Sequence, residues 1–171
     1  ERTAVIEMQK DITQVYSDLR VIIADEPNEA GEQEQRAIAR RSAILLENLR
    51  ALYREMPVTI HQGRDYRSYS DTLKQLRKRR EDLYAAIERA EDSGDTRSLK
   101  DLNRQAVRLN RIMVKVQLLV AGLMLAGKSP LKQVKMARNA ALWTLAGALN
   151  SSQYLEEELH YRILRLRGHE K

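Results

Sequence analysis

The densest group of reactive side chains in this sequence is a run of cations: Lys74, Arg77, Lys78, Arg79 and Arg80, five in seven residues. In a helix, steps of 100° turn Lys74 and Lys78 away from the Leu73/Leu76/Leu83/Ile87 stripe, into solvent, where they can meet an acidic surface. Arg80 falls inside the stripe, between Leu76 and Leu83. An unpaired guanidinium is costly to bury. It therefore requires an internal carboxylate, an anionic group from a partner, or a stripe that is open at that point.

Other chemistry finds little to build on. His61, His160 and His169 are too scattered to suggest a metal site by spacing, and the chain has no Cys. There is no phosphate-cradling Gly-rich loop, no nucleophile elbow and no His/carboxylate pair at helical metal spacing. Glu81/Asp82 and Glu156/Glu157 are adjacent pairs expected to face solvent. The expectation is a non-catalytic protein with no covalently bound cofactor and no metal, which works by binding partners.

With 171 residues the chain is long enough for one bundle-sized domain. A formal charge of +6 with abundant acids makes a mixed surface with a basic excess, which suits an acidic protein, RNA or a lipid surface. One Trp, seven Tyr and no Phe give no obvious platform for stacking bases, so nucleic acid is disfavoured. The most apolar stretch, 118–127, is about half the length of a membrane span, and no direct span is expected. A chain that begins at Glu1 is expected to be a processed or trimmed product.

The elements that must position these residues are helices. Val5, Met8, Ile12, Val15, Leu19 and Ile22 recur at steps of three and four and predict a helix over 2–24, followed by an acidic loop through Gln35. A second helix is predicted over 36–56, ended by Pro57, and a third over 70–91, ended by Asp92-Ser93-Gly94-Asp95. The fourth, 97–126, has Leu99, Leu102, Ala106, Leu109, Met113, Val116, Val120 and Leu123 on one seam and Arg104, Arg108, Arg111 and Lys115 on a polar face along most of its length. Asp95 or Thr96 should cap it, with Gly127 as its C′ residue. Ser129-Pro130 reads as the start of a fifth helix and Ser151-Ser152 as the start of a sixth. Ala121, Gly122, Ala126 and Gly127 predict either close helix packing or room for an apolar ligand chain. The fold class is all-α, an antiparallel helical bundle.

One segment carries a resemblance. Residues 47–62, Glu-Asn-Leu-Arg-Ala-Leu-Tyr-Arg-Glu-Met-Pro-Val-Thr-Ile-His-Gln, resemble the first-helix region of the LYR-motif family, with the tripeptide itself at Leu52-Tyr53-Arg54. Aligning Tyr53 to Gln62 with the family's run places its tripeptide on Asn48-Leu49-Arg50 instead. Arg50 is then the matching arginine, with Tyr53 and Arg54 as candidates in the other register. The resemblance, strongest to the family's accessory members in mitochondrial respiratory complex I, implies a three-helix core over 35–128 with helical extensions at 1–34 and 129–171. It implies docking of an acidic acyl carrier protein, within a large complex on the matrix side of the mitochondrial inner membrane. Arg50, Tyr53, Arg54, Lys74, Arg77, Lys78 and Arg80 would meet the carrier or the phosphate of its acyl-phosphopantetheine arm, and Leu109, Met113, Val116 and Val120 would border the acyl chain. Two other readings fit the composition: a helical ligand-sensing domain of a bacterial receptor, and an RNA-associated subunit of a mitochondrial ribosome.

Overall fold

A computed structural model describes residues 2–24, 33–41, 43–44 and 66–162, with side chains at all of these except 66–68 and 161–162. Every regular element among them is helical, and the helices pack on one another as an all-α bundle.

Helix α1, Arg2–Ala24, buries its whole predicted stripe, Val5, Met8, Ile12, Val15, Leu19 and Ile22. Each such side chain removed from water is worth about 1.5–3 kcal/mol as an upper estimate, so this stripe is enough to hold α1 on its neighbours. Helix α2 is described over 33–41 and 43–44; it begins earlier than the sequence predicts, because Gln35 is a buried helical residue rather than part of a loop. Helix α3, Tyr66–Ser93, buries Tyr69, Leu73, Leu83, Ile87 and Ala90. It closes at Gly94, whose φ of 70° lets the amides of Gly94 and Asp95 return to the carbonyls of Glu91 and Ala90.

Helix α4, Thr96–Leu125, starts where Asp95 accepts a hydrogen bond from the Ser98 amide, 3.1 Å. It ends at Gly127, φ 75°, with Lys128 N returning to Leu123 O at 3.0 Å. Helix α5, Val134–Glu157, follows, and the chain continues into a π turn, Glu158–Arg162. Helices α4 and α5 form the central pair; α3 packs on α4, and α1 on α5. All of these helices contribute to one apolar core.

Several expectations are corrected here. Ser129-Pro130 does not start α5; Gln133, in extended conformation, precedes its first turn. Ser151 and Ser152 do not start a new helix but are fully buried inside α5. The polar face of α4 fades at its middle, where Arg111 is half-buried and Lys115 is only 4 % exposed, because every residue from Met113 to Ala121 is buried except the half-buried Leu119. Burial lowers the proton affinity of the Arg111 guanidinium. Gly122 is not at a close helix contact: a Cβ there would meet nothing within 4 Å.

Candidate functional site

Helix α3 carries Lys74, Arg77, Lys78 and Arg79 on its exposed surface. None of the four forms an ion pair or hydrogen bond with another described residue. The acids nearest in sequence, Asp71, Glu81 and Asp82, are exposed as well and bound the patch at its two ends. Leu73, Leu83 and Ile87 turn into the core, which sets Lys74 and Lys78 on the opposite side of α3, as the helical spacing predicts, with Arg77 and Arg79 exposed on its two flanks.

Arg80 takes contacts within the fold that its spacing does not specify. It is half-buried, and its Nη1 donates to Ser151 Oγ on α5 at 3.0 Å. The guanidinium carbon lies 5.4 Å from the ring centroid of Tyr154, a cation–π distance. No carboxylate among the described residues pairs with it. A hydroxyl and an aromatic face are thus its contacts among the described residues, and Arg80 links α3 to α5.

Below this contact is Gln117 of α4, fully buried. Its amide nitrogen points at Ser151 Oγ, 2.9 Å, and at the carbonyl oxygens of Met113, 3.0 Å, and Gly147, 3.2 Å, since the reverse orientation would set an oxygen against two carbonyls. Gly147 is where a small residue is required: a Cβ there would fall 2.9 Å from the other end of the amide. Further along, Asn110 Nδ2 donates to Tyr84 Oη at 2.9 Å, and the Tyr84 and Tyr154 rings stand 5.3 Å apart. The result is a polar layer with an aromatic rim at the junction of α3, α4 and α5.

The residues expected to border an acyl chain, Leu109, Met113, Val116 and Val120, are buried members of the core cluster. Arg50, Tyr53 and Arg54, in either register, lie outside the described residues, as does His61. Lys74, Arg77, Lys78 and Arg80 therefore share one helix, with Arg80 set apart by its contacts. The sequence reading missed Gln117, Gly147, Ser151 and Tyr154; the available signal was a glutamine in an otherwise apolar run of α4.

Two further features stand out. At the α4–α5 turn, Arg138 is 2 % exposed, and its Nε donates to Gln35 Oε1 at 2.8 Å, while Gln35 Nε2 donates to Leu125 O at 2.9 Å. On the outer side of α5, Trp143 is 78 % exposed, with Met136 exposed one turn pair before it. Among the described residues, no group of three or more potential metal ligands gathers, and no helix is long and apolar enough to cross a membrane.

Comparison with known proteins finds no family model, no curated protein and no solved structure that matches the chain.

Proposed function

We propose that this chain is a non-catalytic binding subunit that docks an acidic protein across the exposed cations of α3. The observation that carries the reading is that Lys74, Arg77, Lys78 and Arg79 are solvent-facing and matched by no described carboxylate. Unneutralised cations held on one rigid helix speed encounter with an acidic surface and fix its orientation. Arg80, held at the edge of this patch by Ser151 and Tyr154, is the member best fixed to address a single anionic group such as a phosphate.

The partner chemistry is that of an acyl carrier protein, acidic and bearing a phosphopantetheine arm, to which the resemblance at 47–62 points. In that reading the assembly is mitochondrial NADH:ubiquinone oxidoreductase, with the chain peripheral on the matrix face of the inner membrane. The burial of Leu109, Met113, Val116 and Val120 in the core favours a docking surface over a preformed acyl tunnel.

The test is binding to purified acyl carrier protein in its apo, holo and acyl forms, measured by calorimetry at two salt concentrations. Binding that weakens with salt, and is lost in Lys74→Glu/Arg77→Glu/Lys78→Glu with helicity intact, is the expected result. A carrier that binds the charge-reversed protein equally well sinks the assignment to α3, and no binding in any form sinks the choice of partner.

A further inference from the structure

No described helix covers the outer face of α5. Along the helix, one stripe presents Met136, Asn139, Trp143, Ala146, Asn150, Gln153 and Glu157, spaced three or four residues apart, with Lys132 just before its first turn. Met136 is 51 % exposed, and Trp143 is the chain's single tryptophan and its most exposed large apolar residue among those described. Two large apolar side chains, Met136 and Trp143, are thus open on the same face of one regular helix, the pattern of a contact surface.

What fits the stripe is set by its charge and size pattern. It is basic at the start, with exposed Lys132 and Lys135, and acidic at the end, with exposed Glu157. None of these three pairs with another described residue. Trp143 and the small Ala146 lie on either side of the midpoint. A helix with this pattern is complementary to itself when reversed. In one antiparallel register, three matches occur together within the helix, Trp143 facing Ala146, Asn139 facing Asn150 and Met136 facing Gln153, and Lys132, just before the helix, comes to the end that carries Glu157. All eight residues are on the outward stripe or at its end, and none belongs to the buried core.

We propose that two copies of the chain pair through α5, antiparallel, about a two-fold axis between Trp143 and Ala146, with each Trp143 seated over Ala146 of the other copy. The small side chain of Ala146 lets the helices approach closely enough for the indole to fill the space between them. The amide pairs and the end charges select the antiparallel direction, since a parallel pairing sets lysine against lysine and Glu157 against Glu157. An isologous two-fold contact of this kind closes on itself and leaves the basic face of α3 available to another partner. A lipid surface is a poorer match, because Asn139, Asn150, Gln153 and Glu157 run the length of the stripe.

The full chain answers the question, aided by its lack of cysteine. Sedimentation equilibrium across the micromolar range should give a dimer, and the lone tryptophan should shift its emission to the blue as concentration rises. Trp143→Glu should weaken the dimer on the order of 30-fold or more. Lys132→Glu should weaken it, and adding Glu157→Lys should restore it. For register, Asn139→Cys and Asn150→Cys chains, oxidised as a mixture, should form the mixed disulfide. Neither should link to itself, because identical positions are about 16 Å apart along paired antiparallel helices, beyond disulfide reach. A monomer at every concentration overturns the proposal, as does self-linkage of either cysteine variant, or a monomer whose Trp143 emission shifts only on anionic vesicles.

Discussion

Gly147 of α5 lies against the buried Gln117 amide of α4, so close that a Cβ at 147 would fall 2.9 Å from its terminal atom. The contact is fixed on both sides, because the amide is held by Ser151 Oγ and by the carbonyls of Met113 and Gly147 itself. Gly147→Ala is therefore expected to destabilise the protein by about 1–2 kcal/mol: overpacking a rigid site outweighs the ~1 kcal/mol that alanine gains in a helix. In a Gln117→Ala background the sign should reverse, leaving about 1 kcal/mol of stabilisation. Urea unfolding of the four proteins checks both signs, and a stabilising Gly147→Ala in the wild-type background would show that the amide moves freely.

Arg80 and Ser151 tie α3 to α5, and their contribution can be separated from that of the apolar core. Ser151→Ala should cost about 1 kcal/mol, and Arg80→Met, which keeps the aliphatic stem, about the same. The double variant should cost less than the two combined, by on the order of 1 kcal/mol, because one hydrogen bond is removed twice. Strict additivity in chemical denaturation would mean that the 3.0 Å contact contributes nothing.

Much of this architecture is legible without coordinates, and the reason is periodicity. All six predicted α1 residues are buried, and α4 runs from Thr96 to Leu125 against a predicted 97–126, because strong apolar spacing and the Asp95 and Gly127 ends agree with one another. Ser151 and Ser152 misled because serine competes for backbone groups and so reads as a helix start. In place, Ser152 Oγ bonds Leu149 O, and Ser151 serves Arg80 and Gln117. The polar layer was half visible: Arg80 inside the α3 stripe was the anomaly, but its partners come from two other helices, and nothing local specifies which helices meet. Lys115 failed for the same reason, since a cation off the seam is solvated only if no other helix covers that side.

Asp95 gives the fold a pH dependence whose sign follows from its cap. The hydrogen bonds from Ser98, side chain and amide, hold its carboxyl below the ordinary value of 3.8, with the nearby Arg97 charge a smaller influence in the same direction. A carboxylate depressed in the folded state adds stability that is fully present above its unfolded value and is lost as pH falls through the folded one. Asp95→Asn keeps a capping oxygen but does not titrate. The stability gap between wild type and Asp95→Asn should thus be constant near neutral pH and shrink below about pH 4. Denaturation midpoints measured from pH 7 to pH 3 would expose a gap that widens instead, which would contradict this role.

Gln35 joins two needs at the α4–α5 turn: it closes the Leu125 carbonyl and it gives the buried Arg138 its hydrogen-bond partner. Arg138 Nη2 is buried without a partner among the described residues, so this guanidinium has little to lose before its burial becomes prohibitive. Gln35→Leu, which strands a buried charge, should cost about 2–4 kcal/mol. Arg138→Met removes that charge while filling similar space, and should cost less than Gln35→Leu. Combining them should recover at least about 1 kcal/mol of the summed loss, because the stranded cation is gone and only the open Leu125 carbonyl remains. A double-mutant cycle in urea decides it: if the two substitutions add, the stability of this turn does not depend on Gln35 neutralising the burial of Arg138.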